Sequence, residues 1–337
     1  MMHETVAVLG AGSWGTALAL LLARAGVNVR LWDRSAEQVN QLQVHRENRQ
    51  YLAGCPLPET IGIYADLNAT LDAVDGIVFA VPAGALGQVT AQVVSLLHGK
   101  LGPHTGPVAV IVSKGIKVDS LLLPSAVMQQ SGWIGRSVVL SGPNLATEVA
   151  QDIPAAAVAA CHDVDTAAAV QRWFCTERFR VYASTDRIGV EVGGAVKNVL
   201  AVAAGISDGL GFGDNTKAAL LTRGLVEMAR LGVAMGATKD TFYGLSGVGD
   251  LLATAGSRLS RNWRVGYALA QGMSLADAVS SLGQVAEGVE SSKALRKLSQ
   301  QLGVEMPVAD AVYAVCYENV PPREAVARLM GRFAGIE

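Results

Sequence analysis

Short apolar runs alternate with longer helical stretches through the first half of the chain. These runs, rich in Val, Ile and Leu, occupy residues 6–9, 27–32, 77–81, 108–113 and 138–141. The alternation predicts a parallel α/β sheet, because each crossover helix must cover one face of the sheet. Later runs over 155–160 and 179–182 are too short to distinguish strand from helix by pattern, and we expect them to extend the sheet.

The residue composition changes at about Val190, where long segments rich in Ala, Gly and Leu replace the β-branched runs. The pattern predicts an α/β domain over 1–189 and an all-helical domain over 190–337. No Pro- or Ser-rich linker separates them, so we expect a direct connection and closely packed domains.

Composition agrees with two domains and narrows the range of partners. The chain is 50% hydrophobic and 17% charged. Its 337 residues are more than a single hydrophobic core usually supports. The formal charge of -2 mixes both signs and includes no basic block. We therefore expect a small-molecule substrate and neither a nucleic-acid nor a membrane partner.

Cysteine usage and the N-terminus indicate a cytoplasmic protein. The cysteines at 55, 161, 175 and 316 form no C-x-x-C pair, so we expect reduced thiols, with no disulfide and no metal site. The N-terminus lacks the charged start of a signal peptide. The longest apolar stretch, residues 17–23, is too short to span a bilayer.

A glycine motif follows the first apolar run and leads into the apolar helical stretch 16–23. In this context Gly10 permits a tight turn, Gly12 lets backbone N–H groups approach a pyrophosphate, and Gly15 allows close packing of helix on strand. The helix N-terminus also attracts the anion. The motif predicts that 1–189 is a Rossmann-type, doubly wound, dinucleotide-binding domain and that 190–337 binds the substrate.

Two adjacent residues at the end of the second predicted strand favour different coenzymes. Asp33 would accept a hydrogen bond from the 2′-hydroxyl of NAD, whereas Arg34 would pair with the 2′-phosphate of NADP. The pattern therefore predicts NAD or NADP without choosing between them.

Lys114 follows the predicted strand 108–113, at the edge of the sheet where ligands bind. Its position is equally that of an ordinary surface lysine. We regard it as a candidate contact for substrate or cofactor.

Carbonyl reduction by a nicotinamide needs a proton donor, and no histidine follows His162. Lys197 lies on a helix that is apolar nearly all round, where desolvation would lower the pKa of its ammonium group. Gly193 and Gly194 share its face and would leave room for a ligand. We predict Lys197 as the general acid and base, with Asn198 as a neighbouring hydrogen-bond donor.

Two further segments could bind a small anion. Asp250 follows a glycine-rich segment and could be a substrate contact or a helix N-cap. Ser260, Arg261 and Asn262 bring a capping hydroxyl, a guanidinium and an amide to a predicted helix start, which suits a phosphate group. A capped, solvated helix end would show the same three residues.

Taken together, the motifs resemble NAD(P)-dependent glycerol-3-phosphate dehydrogenase of the bacterial type. The resemblance implies reversible reduction of dihydroxyacetone phosphate to sn-glycerol 3-phosphate, which feeds glycerophospholipid synthesis. It covers nearly the whole chain and rests on the segments 10–19, 113–115, 141–144, 193–198, 249–251, 260–262 and 285–288.

The resemblance also implies which residues of this chain meet the ligands. Lys197 would donate and accept the proton. The substrate contacts would be Lys114, Gly142, Asn144, Lys197, Asp250, Ser260, Arg261 and Asn262. The cofactor contacts, besides the three motif glycines, would be Ser13, Trp14, Arg34, Tyr51, Lys114, Ala146, Arg261, Val285 and Glu287.

This chain departs from such relatives at Asp33, where they commonly have a small residue, and at Asn144, where they often have Ser or Thr. Two alternatives stay open. One is a β-hydroxyacid or sugar-acid dehydrogenase of similar two-domain architecture, and the other is a non-catalytic nicotinamide sensor. The apolar second half leads us to expect a homodimer.

Overall fold

The computed structural model describes residues 4–282 and 285–331 and divides them into two compact units. The first unit runs to Lys114 and resumes over Leu123–Val190, and the second comprises Gly115–Leu122 and the chain from Glu191 onward. Nothing in the sequence pattern pointed to the excursion Gly115–Leu122. The assignment of dinucleotide to one domain and substrate to the other stays a prediction.

Strands and helices alternate through the first unit. They are β1 (Thr5–Leu9), α1 (Ser13–Arg24), β2 (Asn28–Trp32), α2 (Ala36–His45), β3 (Glu47–Asn48), β4 (Leu52–Pro56), β5 (Ile61–Tyr64), α3 (Leu67–Thr70), β6 (Gly76–Phe79), α4 (Ala83–Leu96), β7 (Val108–Ile111), α5 (Pro124–Gln130), β8 (Ser137–Ser141), α6 (Ala146–Ala150), β9 (Ala155–Ala160), α7 (Val164–Phe174) and β10 (Phe179–Ser184).

Eight of these strands form one sheet in the order β10-β9-β8-β7-β6-β1-β2-β5. All seven predicted apolar runs contribute a strand, and the predicted doubly wound architecture is confirmed. The sheet is not wholly parallel as expected, because β9 pairs antiparallel with β8. The strand order reverses at β1, which is where dinucleotide folds place their ligand, beyond the carboxyl ends of the strands.

The sequence pattern missed three short strands. Strand β5 has only four residues and includes a glycine. Strands β3 and β4 form a separate antiparallel pair that contains Glu47, Asn48, Gly54 and Pro56 in place of an apolar run. Because such segments lack hydrophobic periodicity, the criterion that found the other strands does not detect them.

The large sheet is covered on both faces. Val6 and Val8 of β1 belong to one hydrophobic cluster, while the alternate residues Ala7 and Leu9 belong to another. Since successive side chains of a strand point to opposite faces, apolar residues are buried on both sides. This explains why β6, β7 and β8 read as continuous apolar runs.

The second unit consists of helices, which follow from α8 (Arg187–Gly209), a helix that begins in the first unit. The later elements are α9 (Asp214–Ala234), a 3₁₀ turn (Lys239–Tyr243), a π-helical turn (Leu245–Gly249), α10 (Asp250–Gly256), α11 (Arg261–Ala270), α12 (Leu275–Ser280), α13 (Glu287–Leu302), α14 (Pro307–Tyr317) and α15 (Pro322–Met330).

Helix α8 forms the core of the second unit. A Cβ added at Gly205 would lie 2.0 Å from the carbonyl oxygen of Trp263, and one at Gly266 would lie 2.0 Å from that of Val202. These two glycines therefore allow α8 and α11 to touch backbone to backbone. By length and composition α8 could also cross a membrane (mean hydropathy 1.3), but 94% of that window is buried, as in the core helix of a water-soluble protein.

Candidate functional site

The glycine loop between β1 and α1 has the geometry that its motif predicts. Gly10 has φ of 107°, and a Cβ there would lie 2.8 Å from the Ala80 carbonyl oxygen. A Cβ at Gly15 would lie 1.9 Å from the Gly10 carbonyl oxygen. At Gly12, by contrast, no atom lies within 4 Å of the added Cβ. Two of the glycines are required by close packing, and the third faces open space.

Helix α1 begins beside this open space without a side-chain cap. Gly12 is its N-cap, so no side chain accepts from the N–H groups of the first turn, which Ser13 and Trp14 begin. Uncapped N–H groups and the helix dipole favour an anion at this end. The loop therefore fits the pyrophosphate of a dinucleotide. Tyr51, the weaker cofactor candidate, is half-buried.

Asp33 is bound by the protein itself, which the sequence did not indicate. One of its carboxylate oxygens accepts from the backbone N–H of Ala11 at 2.9 Å, and the other accepts from that of Ser35 at 2.9 Å. The carboxylate is thus a fixed negative charge that holds the glycine loop to the end of β2. The neighbouring Arg34 is exposed to solvent.

The ends of the following strands bring several predicted residues together in the first unit. The Ser113 hydroxyl donates to the Val81 carbonyl at 2.6 Å, joining the ends of β7 and β6. Lys114 donates to the Gly142 carbonyl at 3.4 Å, and Asn144 donates to the Ala156 carbonyl at 3.0 Å. Gly142, with φ of 153°, has no room for a Cβ.

Ala146, the remaining candidate of this region, is the first residue of α6 and is half-buried. The amide of Asn144 is oriented by main-chain acceptors from both Pro143 and Ala156. Its position is therefore set by the strand ends themselves, independently of any ligand.

A buried ion pair lies at the centre of the second unit. Lys197 on α8 is 7% exposed, and its Nζ donates to Asp250 Oδ1 and to Thr254 Oγ1, each at 2.7 Å. Asp250 is 1% exposed and opens α10. A buried carboxylate at this distance stabilises the ammonium form of the lysine. The position of Lys197 on an apolar helix predicted desolvation, and nothing in the local sequence indicated this opposing charge.

Thr254 was not among the predicted site residues. It is 6% exposed, lies four residues after Asp250 on α10, and its hydroxyl also approaches Asp250 Oδ1 at 3.3 Å. Spacing of four places two side chains on one helix face, so this spacing was the available signal. It becomes informative only once Asp250 is known to face Lys197.

The predicted ligand space beside Gly193 is wrong. A Cβ at Gly193 would lie 2.4 Å from the Ser246 carbonyl oxygen. The missing side chain therefore admits the backbone of the π-helical turn against α8, not a ligand. Gly193 acts by bringing the chain around Asp250 close to the helix that carries Lys197.

Asn198, predicted as a donor to a ligand, accepts a hydrogen bond from another predicted residue. Its Oδ1 accepts from Asn262 Nδ2 at 3.0 Å, and Asn262 Oδ1 accepts from the Gly288 N–H at 2.9 Å. Both amides are buried. This chain of hydrogen bonds joins α8, α11 and the start of α13.

The predicted helix start at 260–262 is confirmed. Ser260 is the N-cap of α11, and its hydroxyl accepts from the Trp263 N–H at 3.3 Å. Although Arg261 retains solvent exposure, desolvation by surrounding protein atoms lowers its pKa, and the negative charge of Glu287 opposes that change. Glu287 is half-buried and Val285 is 49% exposed.

Histidines and metal ligands form no competing centre in the described residues. His45, His98, His104 and His162 are exposed, and His3 lies outside the described part of the chain. Across residues 4–282 and 285–331, no group of three or more His, Cys, Asp or Glu side chains could hold a metal ion.

Comparison with known proteins matches both halves of the chain. Residues 5–167 match the family described as NAD-dependent glycerol-3-phosphate dehydrogenase N-terminus, and residues 186–327 match that described as its C-terminus. Glycerol-3-phosphate dehydrogenase [NAD(P)+] of Geobacillus thermodenitrificans is 47% identical over 98% of this chain and 95% of its own. The enzyme of the same name from Geobacter sulfurreducens is 47% identical over 98% of both chains.

Solved structures agree with this match. The crystal structure of glycerol-3-phosphate dehydrogenase from Coxiella burnetii has a TM-score of 0.93 and 39% identity, covering 98% of this chain and 99% of its own. D-mandelate dehydrogenase, at 14% identity and a TM-score of 0.63, shares the fold alone. On this evidence the chain belongs to the NAD-dependent glycerol-3-phosphate dehydrogenase family.

Proposed function

We propose that this chain catalyses the reversible reduction of dihydroxyacetone phosphate to sn-glycerol 3-phosphate with NAD(P)H. The observation that carries the proposal is the buried Lys197 ammonium, held at 2.7 Å by both Asp250 and Thr254. A reductase must supply a proton to the oxygen of the ketone, and an ammonium group held in a fixed position can supply it.

In this mechanism the glycine loop and the α1 N-terminus bind the dinucleotide, whose nicotinamide supplies the hydride when bound. Lys197 donates a proton from Nζ to the developing alkoxide, and Asp250 and Thr254 keep Nζ in place. In the oxidative direction the neutral amine of Lys197 takes the proton back.

We assign the phosphate to the start of α11. Arg261 supplies positive charge that can pair bidentately with a phosphate, and the capped helix start adds backbone N–H groups. Asn262 is fixed by its bonds to Asn198 and Gly288. Phosphate binding there increases the rate to the extent that it fixes the ketone for attack.

We test the assignment of Lys197 with Lys197→Ala and a control, Lys293→Ala, which removes a partly exposed lysine paired with Glu290. Loss of a general acid should lower kcat by about 10²- to 10⁴-fold while NADH binding is retained. The control should keep wild-type kcat. Near-normal turnover in Lys197→Ala would exclude its role.

For the coenzyme we propose a preference for NADH. The fixed carboxylate of Asp33 would repel a 2′-phosphate at the end of β2, where dinucleotide folds meet the adenosine ribose. Asp33→Gly would remove the acceptors of both the Ala11 and the Ser35 N–H groups, whereas Asp33→Asn removes the charge and keeps one acceptor oxygen, so Asp33→Asn is the sharper variant. The ratio of NADPH to NADH oxidation should rise about tenfold, as for one lost charge interaction. An unchanged ratio would refute the preference.

Substrate class is tested by rates with dihydroxyacetone phosphate beside rates with β-keto acids and sugar acids. Faster turnover of a carboxylate substrate would favour the alternative dehydrogenase, and NADH binding without turnover of any ketone would favour a sensor.

We further propose a cytoplasmic homodimer that feeds glycerophospholipid synthesis. Sedimentation at micromolar concentration tests the oligomeric state, and a monomer there would contradict it.

A further inference from the structure

Asn48 of β3 is a buried polar residue close to the glycine loop, and the sequence motifs do not include it. It is 0% exposed. Its Nδ2 donates to the Ala11 carbonyl at 2.8 Å and to Thr16 Oγ1 at 2.7 Å. Its Oδ1 accepts from Gln38 Nε2 at 3.0 Å and from the Tyr51 N–H at 3.2 Å.

These four hydrogen bonds use both donors and both acceptor positions of the amide. The orientation of the Asn48 side chain is therefore fixed, because a flipped amide would set donors against donors. Partners from the glycine loop, α1, α2 and the turn before β4 meet at this one side chain. A satisfied buried network of this kind specifies one arrangement of the groups that it joins.

The network acts on a single residue of the glycine loop, whose N–H and carbonyl belong to two successive peptides. Ala11 is held at its N–H by Asp33, at 2.9 Å, and at its carbonyl by Asn48. In a planar trans peptide the carbonyl and the following N–H point in opposite directions. The N–H of Gly12 therefore points away from Asn48.

An added Cβ at Gly12 would meet open space, since no atom outside the adjacent residues lies within 4 Å of it. Within residues 4–282 and 285–331 no acceptor for the Gly12 N–H is found. The same space adjoins the uncapped start of α1. A fixed, unused N–H at this place is suited to a phosphate oxygen.

We propose that Asn48 is a positioning residue for dinucleotide binding, which orients the Ala11–Gly12 peptide so that the Gly12 N–H meets the pyrophosphate. The inference rests on the proposed function, because it requires a dinucleotide on the loop. Asn48 touches neither the nicotinamide nor the substrate in this role. Its removal should weaken coenzyme binding and leave the chemical step intact.

Asn48→Leu retains the approximate shape of the side chain and removes its hydrogen bonds. We expect KM for NADH and Kd for ADP, a probe with the same diphosphate, to rise about tenfold, as for one weakened hydrogen bond to a charged group. KM for dihydroxyacetone phosphate and kcat at saturating NADH should change less than about twofold. A purely structural role would alter all four quantities together.

Val170→Ala is the matched control. Val170 is 0% exposed on α7, so truncating it lowers the stability of the protein. It takes no part in the hydrogen bonds of Asn48. It should leave KM for NADH unchanged. If Asn48→Leu does not fold, Gln38→Leu removes one donor to Asn48 and should raise KM for NADH about threefold.

An unchanged KM for NADH in the folded Asn48 variant, or in Gln38→Leu where that variant replaces it, overturns the inference. So does an equal rise in the Val170 control. If the wild-type protein neither binds NADH nor oxidises it with dihydroxyacetone phosphate, the proposed function fails instead. The two failures are therefore distinguishable.

Discussion

Glu227 makes stability depend on pH in a range where few other groups titrate. It lies on α9, is 4% exposed, and accepts from the Val308 N–H at 2.7 Å and from the Ala309 N–H at 3.2 Å. It thereby caps the start of α14, whose first residue is Pro307 and has no N–H to satisfy. Nothing in the local sequence around Glu227 indicated this role.

Burial raises the pKa of Glu227 from 4.5 to about 7. The two backbone hydrogen bonds and Arg230 favour the carboxylate, while desolvation and the negative charge of Asp310 oppose it. The raised value shows that desolvation outweighs the hydrogen bonds. The folded protein therefore holds this proton more tightly than the unfolded chain.

The sign of the pH effect follows from that difference. A carboxyl group with a raised folded pKa contributes its full stability below the unfolded pKa and loses it as pH rises through the folded value. The interval between 4.5 and about 7, at 1.36 kcal/mol per pH unit, gives a loss of about 3 kcal/mol between pH 4.5 and pH 8.

The assay is urea unfolding of wild type and Glu227→Gln at half-unit steps from pH 5 to pH 8. The glutamine variant should be nearly flat where wild type declines, so the difference between their free energies of unfolding isolates the Glu227 titration. Glu290→Gln, at an exposed position, should follow wild type. Parallel curves for wild type and Glu227→Gln would refute the reasoning.

Three further outcomes are expected. Gly15→Ala should lower Tm by several degrees, because its Cβ would lie 1.9 Å from a carbonyl oxygen. Gly12→Ala should keep the wild-type Tm and raise KM for NADH about tenfold. An equal fall in Tm for both variants would contradict the open space beside Gly12. Thr254→Val should lower kcat about tenfold, since Lys197 loses the hydrogen bond to the Thr254 hydroxyl; an unchanged kcat would contradict this expectation. Oxidation of sn-glycerol 3-phosphate should require higher pH than the reverse reduction, because Asp250 stabilises the Lys197 ammonium; superimposable pH profiles would exclude this.

Local pattern was enough to predict the fold and the motif loop. The apolar runs specify strands buried on two faces. The glycine spacing was recognisable as a local motif, although Gly10 is also required by its contact with the distant Ala80 carbonyl. The β3–β4 pair was not predicted because polar residues, Gly54 and Pro56 interrupt its buried residues Leu52 and Cys55. Hydrophobic periodicity does not register elements of that kind.

Contacts between residues far apart in sequence were not predictable from one chain. Lys197 stood out because a charge on an apolar helix is expensive to bury, but its partner Asp250 lies 53 residues away. Asn48 likewise lies 37 residues from Ala11. Gly193 was misassigned because helix-face geometry cannot show that the Ser246 backbone fills the gap. In each case the sequence did not indicate which residues come into contact.

Asp33 and Asp250 were both considered as ligand contacts, and in the structure both are held by donors of the protein. Asp33 is fixed by two backbone N–H groups and Asp250 by the Lys197 ammonium. A charge held in this way needs no reorganisation when a ligand arrives, which is how preorganised sites favour one state over another. It also means that removing either side chain changes the loop or lysine it supports as well as the ligand. Asparagine removes the charge and keeps one acceptor oxygen, so it disturbs this support less than a truncation does. At Asp33 it still gives up one of the two backbone hydrogen bonds, so the loss of charge has to be read beside the loss of that bond.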